Sequence, residues 1–155
     1  MLREPAAPSF HHQIIVGRIF KRLDAHVRRG HLGEVVLAPV DVVLDREHAL
    51  IVQPDVVFIS VERAAICTDR IWGAPDLTVE VLSKARRRHD SVVKVKWYRQ
   101  YGVRECWLVD PVSRQVNVID LGAPEGGEIA VEAQDRVRSQ VLPRLRLRPA
   151  DIFDA

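Results

Sequence analysis

Apolar residues recur at three- and four-residue intervals through Val16, Ile19, Phe20, Leu23 and Val27, the period of an amphipathic helix. Ser9 is placed to cap its start, and Gly30 and Gly33 bracket its end. The opposite face carries Arg18, Lys21, Arg22, Arg28 and Arg29. Residues 1–8, rich in Pro and Ala, read as a loose arm before this helix. The pattern then becomes β-rich at 34–38 (EVVLA) and 40–44 (VDVVL), separated by Pro39, and at 51–60 (IVQPDVVFIS), where the strand is entered just after Pro54. Residues 61–73 read as an exposed loop, and 77–82 (LTVEVL) as a buried strand. After the basic loop 84–89 (KARRRH), Asp90 is placed to cap a helix over about 91–101, stopped by Gly102. Strands follow at 105–110 and 115–121, paired as a hairpin, then β runs at 128–133 and 136–142, and a closing helical turn in 149–155.

The unit 77–110 is strand, helix, strand, and such a crossover is right-handed and makes its two strands parallel. The order therefore predicts an α/β domain of α+β type, with a mixed sheet and helices packed on it. Strands 34–38, 40–44, 55–60, 77–82 and 105–110 are expected to share that sheet, with helix 10–29 against it. At 155 residues the chain fits one domain over 1–155.

Composition narrows the class. Apolar residues make up 47% of the chain and charged residues 28%, which suits a folded domain with a solvated surface. The formal net charge of +2 points only weakly to a polyanionic partner, so the placement of the basic residues carries more information. Cys67 and Cys106 form no CxxC pair and have no zinc spacing. With no secretory h-region near the start and no apolar stretch of membrane-spanning length, reduced thiols in a cytoplasmic protein are expected.

Three features could carry chemistry. Pro54-Asp55 sets a carboxylate at a strand entrance, where a proline loses no ladder hydrogen bond. The plain alternative is a turn aspartate. Glu80 puts a carboxylate in the middle of an apolar strand, which is costly unless it is paired or binds a metal. Asp76 lies about 13 Å away along that strand, too far to share an ion with Glu80, and reads as a strand-entry residue. Asp90, Lys94 and Tyr98 stand at i, i+4 and i+8 on one helix face, either as a surface pair beside a tyrosine or as a lysine held over the end of the sheet. His11 and His12 could reach a metal or phosphate but read more simply as surface histidines. Lys84, Arg86, Arg87, Arg88 and His89 are a solvated run or, beside a metal-binding acid, a phosphate clamp. The alternating Arg136, Arg138, Arg144, Arg146 and Arg148 read as an outward face.

The ordered segments VQPDVVFIS (52–60), GAPDLTVEVLS (73–83), the Asp90, Lys94, Tyr98 spacing, YGV (101–103), WLVDP (107–111) and SQVLPRLRL (139–147) resemble the Uma-type family of bacterial proteins classed as restriction endonucleases, within the PD-(D/E)xK superfamily. The resemblance implies a restriction-endonuclease-like core with an added C-terminal β-hairpin region. It also implies hydrolysis of phosphodiester bonds in DNA with Mg²⁺ or Mn²⁺, no membrane, and a homodimer as one assembly. Asp55 and Glu80 match the metal-binding acids. The superfamily lysine two positions after the acid is here Leu82, about 6.6 Å from residue 80 on the same strand face. The resemblance assigns the lysine's role to Lys94 on the following helix, which should come within about 6 Å of Glu80, while Lys96 should point elsewhere. Family members usually begin with a glutamate-bearing hairpin, whereas this chain has only MLREPAAP before its first helix. Cys106 replaces a usual tyrosine, and KARRRH a small, Ser/Thr/Pro-rich turn. The alternatives to a nuclease are a catalytically weakened nucleic-acid-binding domain of the same fold, and a structural protein in which Glu80 and Lys94 form an internal ion pair.

Overall fold

The computed structural model describes residues 2, 7–83, 88–124 and 127–154. Helix α1 (Phe10–Gly30) begins at Ser9, whose hydroxyl accepts the His12 backbone N–H at 3.1 Å. It closes on His31 in the left-handed conformation. The chain continues through β1 (Gly33–Leu37), β2 (Val42–Asp45), β3 (Leu50–Val52), β4 (Val56–Ser60), a 3-10 turn (Val61–Ile66), β5 (Ile71–Trp72) and β6 (Leu77–Val81). Helix α2 (Arg88–Tyr101), β7 (Glu105–Asp110), β8 (Gln115–Asp120), β9 (Glu128–Glu132) and α3 (Pro149–Phe153) complete it. Gly33 opens β1 at φ +151°, where a Cβ would meet the Ile59 carbonyl oxygen at 2.0 Å, so only glycine fits this approach.

A six-stranded mixed sheet runs β1-β4-β6-β7-β8-β9, and β6 and β7 are parallel, as the strand–helix–strand unit requires. Its central strands are buried on both faces by strict alternation. Val56 and Phe58, Leu77 and Val79, and Trp107 and Val109 face α1, α3 and the C-terminal segment. Val57, Ile59, Cys106 and Leu108 face the other core, which contains Tyr98 of α2 and Val42, Val52 and Ile71 of a second, three-stranded sheet ordered β3-β2-β5. Both cysteines are free, and Cys106 is wholly buried.

Strand 40–44 therefore belongs to the second sheet, not the first. Pro39 has no ladder donor, so the chain cannot turn straight back along β1. Val42 and Leu44 instead join the core on the α2 side, and Val43 is buried as well. The strand expected just after Pro54 is β4, which pairs with β1 and β6, while the residues before Pro54 form a separate strand, β3, paired with β2. Two further expectations are corrected. Residues 136–142 form no strand, because the Glu105 carboxylate takes up that segment's polar groups, accepting from Ser139 Oγ at 2.6 Å and Gln140 N at 2.7 Å. Asp90 lies inside the first turn of α2 rather than capping it.

Candidate active site

The break at Pro54 positions Asp55 between the two sheets. The Asp55 backbone N–H donates to Val79 O at 3.1 Å, and its Oδ2 accepts the Val81 N–H at 2.7 Å. The carboxylate is thus anchored against the end of β6, one residue from Glu80. Glu80 lies on the α2 face of β6, beside Leu108 of β7. Helix α2 aims two side chains at it: Lys94 Nζ stands 3.3 Å from both Oε1 and Oε2, and the Tyr98 hydroxyl donates to Oε1 at 2.5 Å. The i, i+4 spacing puts both donors on one helix face, as the sequence suggested. Lys96 is exposed.

The first turn of α1 supplies a further residue. His12 is buried, with Nε2 at 2.9 Å from Val81 O and 3.5 Å from Asp55 Oδ2. These side chains border a cavity of about 460 Å³, also lined by Gln53, Ser83, Asp90 and Trp97.

Electrostatics follow from burial and pairing. Burial pushes the Glu80 carboxyl above its usual range, and repulsion from Asp55 adds to this, while Lys94 and Tyr98 oppose it. Burial and the adjacent Glu80 push the Tyr98 hydroxyl up, so it serves as a proton donor in the hydrogen bond. His12 is raised from 6.5 to about 9, chiefly by its hydrogen bond to Asp55, against the opposing effect of burial.

Among the expected site residues, Asp55, Glu80 and Lys94 come together at this cavity. Asp76 does not. It is buried at the far end of β6, where Oδ2 accepts the Ser60 N–H at 2.6 Å and Oδ1 lies 3.3 Å from Arg104 and 3.6 Å from Arg63. His11 is exposed. Lys84, Arg86 and Arg87 lie outside the described residues, as do the side chains of Arg88 and His89, though the flanking Ser83 and Asp90 both line the cavity. His12 was misread as a surface residue. Its signal was its spacing: it stands four, seven, eleven and fifteen residues before Val16, Ile19, Leu23 and Val27, on the apolar stripe of α1.

The donor set fits a hard divalent cation only in the manner of Mg²⁺. Among the described residues no three His, Cys, Asp or Glu side chains gather as a metal-binding group. Three carboxylates, those of Asp55, Glu80 and Asp90, line the cavity, and among the described residues no hydrogen bond reaches Asp55 Oδ1. A Mg²⁺ ion characteristically takes one or two carboxylates and fills its octahedron with water and phosphate.

The His12–Asp55 contact has a consequence for stability. The His12 pKa in the fold is higher than in the unfolded chain, so the stabilisation is complete below pH 6.5 and is lost as pH rises through about 9. In chelator, thermal stability should fall across that window by up to about 3 kcal/mol, and His12→Gln should remove the dependence. Melting curves recorded every half pH unit check this. A flat profile in the wild type, or an equal fall in His12→Gln, would show that the pairing contributes nothing.

Comparison with known proteins adds the family. The family model described as "Uma2: Putative restriction endonuclease" matches residues 2–150. Among solved structures, a protein described as "a putative nuclease belonging to DUF820" from Anabaena variabilis ATCC 29413 superposes with a TM-score of 0.81 at 18% identity, covering 98% of this chain and 84% of that one. At that identity the likeness establishes the mixed α/β fold alone. No curated protein matches. Among the described residues, no helix is long and apolar enough to cross a membrane.

Proposed function

The chain belongs to the Uma2 family, and we propose that it is a metal-dependent endonuclease that hydrolyses phosphodiester bonds in DNA. The observation that carries this reading is the convergence of Asp55, Glu80 and Lys94 from β4, β6 and α2 on one open cavity. A lysine held against a buried carboxylate can serve as an internal ion pair, and beside a second carboxylate at the edge of a cavity it also has a catalytic use.

Asp55 and Glu80 would hold the ion, Mg²⁺ or Mn²⁺. When bound, it would supply Lewis-acid activation of a water and neutralise charge on the phosphate. Tyr98 fixes Glu80 through Oε1, leaving the carboxylate oriented by two donors. His12 holds the Val81 carbonyl and Asp55, which fixes the end of β6 and keeps the two acids in register. Lys94, the one cationic side chain on Glu80 among the described residues, would stabilise negative charge developing on the phosphate, or orient the attacking water. Plasmid cleavage in Mg²⁺ or Mn²⁺ tests the reading. Nicking or linearisation that stops with EDTA supports it; an identical plasmid profile with and without metal overturns it in favour of a binding domain of the same fold.

The basic run Lys84, Arg86, Arg87 and Arg88 sits in the chain between cavity-lining Ser83 and Asp90, and we assign it to the phosphates of the substrate. Replacing Arg86, Arg87 and Arg88 together with alanine should lower the slope of log K against log salt by about 2–3, since each neutralised phosphate contributes about 0.9. An unchanged slope in a salt titration by fluorescence anisotropy would reduce the run to a solvated surface.

A further inference from the structure

A second concavity lies away from the carboxylates, between the C-terminal half of α1 and the segment 141–146. Its volume is about 740 Å³, and its rim carries Arg22, His26 and Arg29 from α1 facing Arg144 and Arg146. Among the described residues no acidic side chain lines it. Four arginines around one groove are a strong local concentration in a chain whose formal net charge is +2. Arg22 is partly compensated by Asp151 at 3.6 Å, an acid already bound to Arg148 at 2.9 Å. Arg29, Arg144 and Arg146 are exposed and, among the described residues, make no ion pair or side-chain hydrogen bond. The floor is apolar, formed by Leu32, Val141 and Leu145.

These observations constrain what the groove takes. Exposed guanidinium groups on both walls of a trough suit a ligand with repeated anionic groups, and they match the geometry of phosphate oxygens. His26 on the same wall is held below its ordinary pKa, first by burial and then by Arg29. The site is set on the helix that carries His12 into the active-site cavity. Arg22 and Arg29 follow His12 by 10 and 17 residues, about 15 and 25 Å along the axis. That interval corresponds to roughly 4–7 base pairs of duplex, at about 3.4 Å per nucleotide of each strand.

We infer that this arginine-lined groove is a second nucleic-acid site, which binds the sugar-phosphate backbone of the DNA remote from the bond being cut. The choice of DNA over other polyanions rests on the nuclease reading above; the anionic character of the ligand does not. The groove would raise affinity for long substrates and leave the chemical step untouched, since backbone contacts position a duplex without reading its sequence.

The test uses the full chain with Arg29, Arg144 and Arg146 changed together to alanine. These side chains are exposed, and an unchanged circular-dichroism melt confirms the fold. With a fluorescein-labelled duplex of twenty base pairs, the triple variant should bind at least about tenfold more weakly at low salt, with a log–log salt slope lower by about 2–3. Hydrolysis of bis(p-nitrophenyl) phosphate, a diester too small to reach the groove, should be unchanged. Equal duplex affinity and slope in the two proteins would overturn the proposal. So would poly-glutamate binding that is as tight as the duplex and depends equally on the three arginines, which would mark an acidic-protein site. If small-diester hydrolysis is absent from both proteins while duplex binding still depends on the arginines, the nuclease reading fails and the groove stands.

Discussion

Replacing Lys94 with alanine is expected to lower DNA cleavage by about a hundred- to a thousandfold, the loss typical of one preorganised charge-stabilising donor. The effect should fall on kcat, with KM for DNA little changed, because the substrate's many phosphates dominate binding and one ammonium contributes little to it. The fold should survive. Burial already pushes Glu80 toward its neutral form, and without Lys94 the carboxyl can take up a proton while keeping the Tyr98 hydroxyl as a partner. Lys96→Ala is the matched control: the residue is exposed on the same helix, and its loss should leave activity within about twofold. Turnover of Lys94→Ala within about threefold of wild type would remove Lys94 from the chemistry and leave the Glu80–Lys94 contact as a structural ion pair.

The largest stability effect should come from a carboxylate that takes no part in the site. Asp76→Ala leaves the Ser60 N–H without its acceptor and removes the shared anion between Arg63 and Arg104. The Ser60 N–H left without an acceptor costs about 1–3 kcal/mol and the two partly exposed arginines lose a charged partner, for about 2–4 kcal/mol in all. For a chain of this size that corresponds to a fall in Tm of about 4–16 °C. Below the transition the variant should still bind metal normally, since Asp76 lies about 13 Å along β6 from Glu80. A Tm within about 3 °C of wild type would mean that the arginines and the Ser60 amide find other partners. Loss of metal binding in the folded variant would mean that the two ends of β6 are coupled.

The parts of this molecule legible in its sequence were those governed by local periodicity. Helix α1 and its Ser9 cap, the buried β6 and β7, their parallel pairing across α2, and the shared face of Lys94 and Tyr98 all follow from spacings of two, three and four residues. The partition of the strands between two sheets did not follow, because it depends on which core a strand covers. Val42, Val43 and Leu44 have the same apolar pattern in either sheet, and only the breaks at Pro39 and Pro54 separate them. The C-terminal segment misled for a related reason. Its alternation at 136–142 suits a strand, but Glu105, buried within β7, accepts from Ser139 and from the backbone of Gln140 and holds the segment in an irregular course. His12 was read as a surface histidine because histidine most often is one, although its place on the α1 stripe contradicts that reading. The basic groove could not be read at all, since Arg29 and Arg144 lie more than a hundred residues apart and meet only in the fold.

The active-site geometry also separates two roles that a carboxylate can play in this fold. Glu80 is buried against a cation and a hydroxyl and borders a cavity that can admit a ligand. Asp76 and Glu105 are as deeply buried, but their oxygens are occupied by backbone amides, arginines, Ser139 and the Trp107 indole. Asp55 Oδ1, by contrast, has no such partner among the described residues. Of these four acids, Asp55 is the one with an oxygen that no described residue occupies, and Glu80 differs from Asp76 and Glu105 in bordering the cavity.

Calorimetric titration of Mn²⁺ into the wild-type protein, Asp55→Asn and Glu80→Gln tests the central claim most directly, because it measures the ion at its site without requiring the right DNA sequence. The account predicts one saturable site in the wild type, weakened at least about tenfold by either substitution, with both variants folded by circular dichroism. Equal Mn²⁺ binding by all three proteins, or no saturable binding by the folded wild type, would contradict it.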